Sequence, residues 1–485
     1  MKTNTLDFDA QALRDKILDL AMRGKLVPQD PNDEPASVLL EKIKAEKEEL
    51  VKEKKIKKSK PLPAITDDEK PFNIPDSWEW VRFSELFNIE GGSQPPKSTF
   101  SDTGGKGKIR LFQIRDYGEN PVPVYIPIDK AKKISQIGDI LLARYGASLG
   151  KVFFAEYGAY NVALAKVLFN FKSEDFILKK YLFYYFKSEL YQNFVRSNSR
   201  SAQAGFNKSD LNRLVFPVPP ISEQKRIAAK IAQLFALLRK VESSTQQYAE
   251  LQTLLKSKVL NLAMRGKLVK QDPNDEPASV LLEKIKGEKA ELAKEKKIKK
   301  SKPLPPITDE EKPFDIPDSW EWVRLESVCD EIGDIDHKMP RKTINGQYLY
   351  ISPKDFTKNG IDYDHAKRIS EDDFKKLSQK FLPKKGDLIF PRYGTIGIIR
   401  KINTERPVLV SYSCCLIRSN KNMSNDFIQY ELKSKITKKE IDKYVNRSTQ
   451  PNVGLKSIKS FLFPLPPLEE QKRIVSKIIE LFSLL

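Results

Sequence analysis

The chain has 485 residues, 40% of them hydrophobic, and carries 85 Lys and Arg against 65 Asp and Glu, a formal net charge of +20 at pH 7. That apolar content is ample for packed cores, the length allows several domains, and the charge points to a polyanion, with DNA or RNA ahead of a membrane surface. Cys329, Cys414 and Cys415 make neither a disulfide framework nor a four-ligand zinc site. The opening MKTNTLDFDA lacks the apolar stretch of a signal peptide, and no run approaches the roughly 20 apolar residues of a membrane span, so a cytoplasmic protein is expected.

In chain order the sequence is written twice. LAMRGKLV at 20–27 returns at 262–269, QDPNDEPASVLLEKIK at 29–44 returns at 271–286, and IPDSWEWVR at 74–82 returns at 316–324, all at an offset of 242. Across 20–82 and 262–324 only positions 28, 45, 48, 51, 64, 68 and 73 differ. Residues 83–215 and 325–462 share only islands, such as GDILLARYGASLGK (138–151) against GDLIFPRYGTIGII (386–399). The similarity resumes at FPVPPISEQKRI (216–227) and FPLPPLEEQKRI (463–474). Near-identical segments that enclose divergent ones indicate a repeated scaffold meeting the same partner twice, with two inserts meeting different things.

The predicted segments follow from this pattern: 1–28, a helical piece; 29–73, an amphipathic helix and a proline-rich linker; 74–219, a first mixed domain; 220–270, a long central helix; 271–315, the second amphipathic helix and linker; 316–467, a second mixed domain; and 468–485, a closing helix. Pro219 and Pro220 end the preceding element and Ser222 is a natural N-cap. Ile227, Ile231, Leu234, Leu238 and Val241, then Tyr248, Leu251, Leu255, Val259 and Leu262, form an apolar seam that predicts burial against another helix. Such a helix over 221–264 is roughly 65 Å long. Its second copy is divided between 468–485 and 1–22, so the repeat is circular and an antiparallel helix pair is expected. In 32–60, Val38, Leu39, Ile43, Leu50 and Val51 make the amphipathic face. The lysine-rich end of that helix, with its twin at 294–302, could touch phosphates, but a run of this kind is more often a solvated face, which is the preferred reading. In the two divergent regions IRLFQI (109–114), GDILLAR, VALAKVLFNF (162–171), QYLYIS (347–352), GDLIFPR and VLVSYSCCLI (408–417) read as strands. Residues 175–195 and 425–445 read as helices, which gives two α+β domains.

No catalytic signature emerges. The histidines are His337 and His365, too few for a triad or zinc site in the first half. GASLGK (146–151) has the wrong spacing for a phosphate-binding loop and lacks the following Ser or Thr, so it reads as a turn.

Taken together, DPNDEPASVLLEKIKAEK, IPDSWEWVR, GDIxxxRYGxxG and FPxPPxxEQKRI, in this order and each present twice or nearly so, make the chain resemble the specificity subunit of Type I restriction–modification systems. GGSQPPK (91–97) is similar to the family's glycine-to-proline turn, whereas the second copy has GDIDHKMP (333–340). The resemblance implies two target-recognition domains joined by two long antiparallel conserved helices in a pseudo-twofold circular repeat. It implies a non-catalytic reader of a bipartite sequence in double-stranded DNA. The partners it implies are two modification subunits that methylate adenine with S-adenosylmethionine, and restriction subunits that use ATP and Mg2+; the chain itself holds no cofactor and no metal. The rival readings are a scaffold that binds only proteins and a self-sufficient restriction enzyme.

Loops flanking the matched islands supply the candidate DNA contacts. In the first reader these are Lys97, Arg115, Arg144, Tyr145, Lys151, Arg200 and Gln203. In the second they are His337, Lys338, Arg341, Lys354, Arg392, Tyr393, Arg447, Gln450 and Asn452. Arg144 and Arg392 occupy aligned RYG turns, which favours backbone contacts common to both readers. For any one of these residues the alternative is a solvated charge or a structural turn position.

Overall fold

The computed structural model describes residues 8–58, 61–172, 176–197, 205–300, 303–343, 345–358, 360–447 and 450–485. They form two compact units, Met1–Thr245 and Gln246–Leu485, that divide within one long helix.

Unit 1 begins with α1 (Ala10–Met22), whose first turn is capped by Asp9 accepting from the Ala12 amide at 2.9 Å. The helix α2 (Ala36–Lys52) follows Pro35, and its buried face is Ala36, Leu39, Ile43 and Leu50, while Val38 faces solvent. After the linker, the strand Glu79–Arg82 pairs antiparallel with Val215–Val218, so the chain enters and leaves the first reader through adjacent strands. Between them lie a short helix α3 (Phe83–Leu86) and two sheets. One sheet is antiparallel in the order Phe87–Gly91, Leu164–Phe169, Ile140–Ala143, Val152–Phe154. The other has the order Tyr125–Pro127, Lys108–Phe112, Gly158–Tyr160, Ile134–Ser135 and contains one parallel pairing, Lys108–Phe112 with Gly158–Tyr160. Helices α4 (Lys179–Lys187) and α5 (Glu189–Ser197) cover one side. They replace the single helix predicted over 175–195, because the Ser188 hydroxyl donates to the Tyr185 carbonyl at 2.7 Å and ends α4 there.

The long helix α6 runs unbroken over Ile221–Ala263. It starts at Ile221, two residues earlier than a Ser222 cap requires, because the Pro220 carbonyl already accepts from the Gln224 amide at 2.9 Å. Unit 2 repeats the plan. The helix α7 (Ala278–Lys294) leads to a neck of Glu321–Arg324 paired with Leu462–Leu465. One sheet has the order Cys329–Gly333, Cys414–Ser419, Leu388–Pro391, Arg400–Lys401, and the other the order Lys367–Ile369, Tyr348–Ile351, Val408–Val410. The remaining helices are α8 (Glu371–Ser378), α9 (Asn425–Glu431), α10 (Lys435–Tyr444), α11 (Leu455–Lys459) and α12 (Leu468–Ser483). Here too the helix predicted over 425–445 is broken, by Ser434, which caps α10 by accepting from the Ile436 amide.

Within unit 1, α1 lies antiparallel to the first half of α6: Arg14 pairs with Glu242, and further along α1's exit Gln29 reaches Glu223. Within unit 2, α12 lies antiparallel to the second half, with Phe482 beside Lys256 and Gln271 bonded to Glu470. The expected seam is buried only near its ends. Ile227 and Ile231 are buried, whereas Val241, Tyr248, Leu251 and Leu255 are exposed. The physical reason is length: α1 and α12 have 13 and 16 residues against 43 in α6, so each covers only the turns beside its own reader.

The repeated strings meet one another. The Glu223 carboxylate, fully buried, accepts from Trp78 Nε1 at 2.8 Å and from Gln29 Nε2 at 2.5 Å. Gln224 accepts from the Leu178 amide and donates to the Pro219 carbonyl, and Arg226 holds Asp33 through two bonds of 3.1 and 2.6 Å. In unit 2 Glu470, Trp320 and Gln271, Gln471 with Ser424, and Arg473 with Asp275 reproduce every element. Burial raises the pKa of both glutamates from its ordinary value. SWEW, QDPND and EQKR thus form one clasp around the helix start. Around it a single apolar core joins Leu18 and Met22 of α1, Leu39 and Ile43 of α2, Trp78, and Ile227 and Ile231 of α6 to the reader's own core. The reader is therefore fixed to its helix by packing as well as by hydrogen bonds.

Candidate nucleic-acid interface

The RYG turn is built alike in both readers. In reader 1 the strand Ile140–Ala143 ends at Arg144, whose amide donates to the Ala163 carbonyl at 2.9 Å. Tyr145 bridges antiparallel to Gly205, where a Cβ would come within 2.5 Å of the tyrosine ring, so the ring as placed in reader 1 leaves room for glycine there. In reader 2 Tyr393 bridges to Asn452 in the same way, and the Val453 amide donates to the Arg392 carbonyl at 2.9 Å. Each arginine lies over its neighbouring tyrosine, Arg144 at 5.0 Å and Arg392 at 4.9 Å from the ring centre. The glycines in GASLG and GTIG have positive φ, as turns require: +72° and +83° at Gly146 and Gly150, +68° and +82° at Gly394 and Gly397.

The surroundings of the two arginines differ. Arg392 is buried, its Nη2 lies 2.6 Å from Asp334 Oδ2, and Lys380 Nζ holds the other carboxylate oxygen at 2.6 Å. His337 covers this pair: it is stacked on Tyr412 at 5.2 Å, with Nε2 3.2 Å from Arg392 Nη2 and 3.7 Å from Asp334 Oδ2. In reader 1 the repeat offset puts Gly92 where Asp334 stands. A side chain cannot enter there, because a Cβ would lie 2.1 Å from the Asn161 carbonyl oxygen. Gly91 leaves room for the Arg144 guanidinium, which is half-buried and, among the described residues, has no carboxylate partner.

The other candidates are on turns. Lys97 opens the turn Lys97–Thr99, Arg115 lies in Ile114–Tyr117, Lys151 follows the RYG turn, and Lys354 lies in Pro353–Asp355. These four, with Lys338 and Arg341, are exposed and have no ion pair among the described residues. Arg447 is exposed and faces Asp442 at 3.5 Å, and the Gln450 carbonyl accepts from Asn452 Nδ2 at 3.2 Å. Tyr393, Gln450 and Asn452 are therefore gathered at one loop cluster with Arg392 and His337, as Arg144 and Tyr145 are in reader 1. Arg200 and Gln203 lie outside the described residues. Asp334 is a residue that sequence reasoning misses; its one signal is the departure of GDIDHKMP from GGSQPPK. Among the described residues no group of three or more His, Cys, Asp and Glu is placed to hold a metal ion, and no helix is long and apolar enough to cross a membrane.

Two readers on necks of the same pairing define a duplicated domain, and comparison with known proteins gives its class. The family described as "Type I restriction modification DNA specificity domain" matches residues 75–252 and 317–484, each span covering one reader and helical sequence beyond it. The Type I restriction enzyme EcoAI specificity subunit of Escherichia coli is 34% identical, covering 98% of this chain and 89% of that protein. The EcoEI specificity subunit of the same species is 32% identical with the same coverage. A solved chain described under complex assembly and conformational transition of the type I R-M system superposes with a TM-score of 0.55 at 19% identity. That match covers 85% of this chain and 92% of that one, and shows a shared fold. The chain belongs to the specificity subunits of Type I restriction–modification systems, the non-catalytic components of those complexes.

Proposed function

We propose that the chain reads a split sequence in double-stranded DNA, one half with the reader in 74–219 and the other with the reader in 316–467. It directs adenine methylation and restriction by partner subunits. Those partners, two modification subunits and the restriction subunits, supply S-adenosylmethionine, ATP and Mg2+ chemistry. The observation that carries this reading is the pairing of identical supports with unlike reading loops: the same neck and clasp twice, but a free Arg144 in one turn and a neutralised Arg392 in the other. Exposed lysines and arginines on turns supply salt-dependent attraction to phosphates, and polar side chains in the loop clusters supply base choice. The apolar residues left bare on α6, Leu237 and Val241 in unit 1 and, separately, Leu251 and Leu255 in unit 2, fit a protein partner docking on each unit.

The test is to replace residues 83–215 with the corresponding region of another reader and map methylated adenines in a host genome. One half of the methylated sequence changes and the other stays. A change in both halves, or in neither, would overturn modular reading.

A further inference from the structure

Four helices of this chain end in the same geometry, and two of them do so against the preference of their own residue. The closing turns of α1 and α6 end in a glycine: Gly24 at φ +67° and Gly266 at φ +65°. The bonds are those of the paired C-terminal motif, Gly24 amide to Ala21 carbonyl at 3.3 Å and Lys25 amide to Leu20 carbonyl at 2.8 Å, with Gly266 and Lys267 alike. In α2 and α7 the equivalent residue is lysine: Lys54 at φ +58° and Lys296 at φ +57°. Lys54 donates to the Val51 carbonyl at 3.0 Å and Lys55 to the Leu50 carbonyl at 2.9 Å, and Lys296 and Lys297 do the same. These are the only two non-glycine residues with positive φ among the described residues. A Cβ is disfavoured in that region, and glycine or asparagine would relieve it. At Gly24 packing adds its own demand, since a Cβ would lie 2.4 Å from Pro75.

The strained lysine stands in a run that stays constant while its helix changes. Ala45, Glu48 and Val51 become Gly287, Ala290 and Ala293, but residues 52–63 and 294–305 are identical. Over 52–58 there are five lysines and one glutamate, an excess of four positive charges, and 294–300 repeats it. All five lysines are exposed in each copy, and half-buried Ile56 and Ile298 tie the run to the helix through their amides. Glu53 is held by Lys55 at 3.0 Å and Lys172 at 3.3 Å. Lys52, Lys54, Lys57 and Lys58 have no carboxylate partner among the described residues. In the second copy Glu295 takes Lys297, and Lys294, Lys296, Lys299 and Lys300 are equally unpaired. A cation near a helix C-terminus is favourable in itself, but the neighbouring lysines already satisfy that preference without positive φ.

We propose that the lysine run after α2, and separately its twin after α7, grips the phosphate backbone of duplex DNA without regard to sequence. This adds hold that neither reader's loops supply. It rests on the DNA-reading function above. Lysine suits the role because a mobile point charge follows phosphates without fixing a base, and contacts to phosphate position a protein without specifying sequence. The preferred reading from sequence, a merely solvated face, leaves the retained positive-φ lysine unexplained.

The experiment uses the full chain with its modification subunits and measures binding to a target duplex and a scrambled duplex across a salt series. The variants are K54G/K296G, which relieves the backbone, and a set with Lys52, Lys54, Lys57, Lys58 and their twins changed to glutamine. K54G/K296G raises the melting temperature and yet weakens both duplexes by the same factor, and the glutamine set weakens both further. The slope of log affinity against log salt falls by about 0.9 for each phosphate that is no longer neutralised, and the methylated sequence is unchanged. Unaltered affinity and slope would overturn the proposal, as would a weakening confined to the target duplex. Dissociation of a modification subunit would overturn it too, by assigning the run to a protein partner. No rise in melting temperature would remove the strain premise. Failure of the unmodified complex to bind any duplex would sink the reading function itself, a result distinct from all of these.

Discussion

Truncating Asp334 to alanine strips the neutralising carboxylate from a buried guanidinium, and the structure sets how severe that is. Arg392 is 6% exposed and its Nη2 bonds Asp334 at 2.6 Å, whereas Lys380, bonded to the other oxygen, has a side chain 41% exposed that turns to water when released. Removing one partner of a buried pair costs on the order of 3–5 kcal/mol, and D334A belongs in that range because it leaves Arg392 uncompensated. R392A leaves Asp334 paired to Lys380 and costs about 2–3 kcal/mol. R144A removes no ion pair and stays below about 1 kcal/mol. Denaturant titration of the full chain, with hydrogen exchange followed in 388–391 and 414–419, is expected to give the order D334A, R392A, R144A. DNA binding reverses the ranking of the two arginines: R144A lowers the salt slope by about 0.9, the share of one phosphate, and R392A acts only through stability. Equal destabilisation by R144A and R392A, or a salt slope altered by R392A in folded protein, would refute the reasoning.

Glu223→Ala leaves Trp78 Nε1 and Gln29 Nε2 as buried donors without an acceptor and is expected to cost about 2–4 kcal/mol; Glu470→Ala should match it in unit 2, and denaturation in which only one of them destabilises would count against equivalent clasps. Glu431 is fully buried, bonded by Thr437 at 3.1 Å, and burial pushes its pKa up to about 8. The folded chain therefore holds a proton that the unfolded chain releases above about pH 4.5, so the contribution of Glu431 to stability is full below that point and is lost as pH rises to about 8. Glu431→Gln is expected to flatten urea midpoints between pH 5 and 8, and an equally flat unmodified protein would disprove the assignment. Seven residues inserted beside Ser243 and Ser244 add about 10.5 Å of helix, equal to about three base pairs, so methylation mapping should show a longer spacer between half-sites.

The duplicated strings make the helices, the necks and the order of elements legible, because each carries its own local signals: Pro35 before α2, Gly24 and Gly266 after α1 and α6, prolines before EQKR. What the strings do to one another is not legible. Glu223, Trp78 and Gln29 are far apart in sequence, and no periodicity announces that a glutamate in a helix's first turn is an acceptor for an indole. Their near-identity reads as a response to a common partner, yet part of it is mutual contact. The same limit hides the Arg392–Asp334 pair, which spans 58 positions and separates two turns that look alike as RYG. The apolar seam over 221–264 reads at full length, but a seam states only that a side can be covered, and the opposing helices cover its ends.

The necks carry a consequence for how such a chain acquires new targets. Glu79 pairs with Val218 and Arg82 with Val215, so the two cut points of the first insert lie side by side, about 5 Å apart across one ladder. Glu321 and Arg324 pair with Leu465 and Leu462 in the same manner. Any folded cassette whose termini are adjacent fits either opening without relinking, and the flanking strings offer matching tracts for genetic crossover. Change of specificity by whole-cassette exchange thus leaves the load on the helices untouched, where stepwise substitution would have to preserve two cores at once.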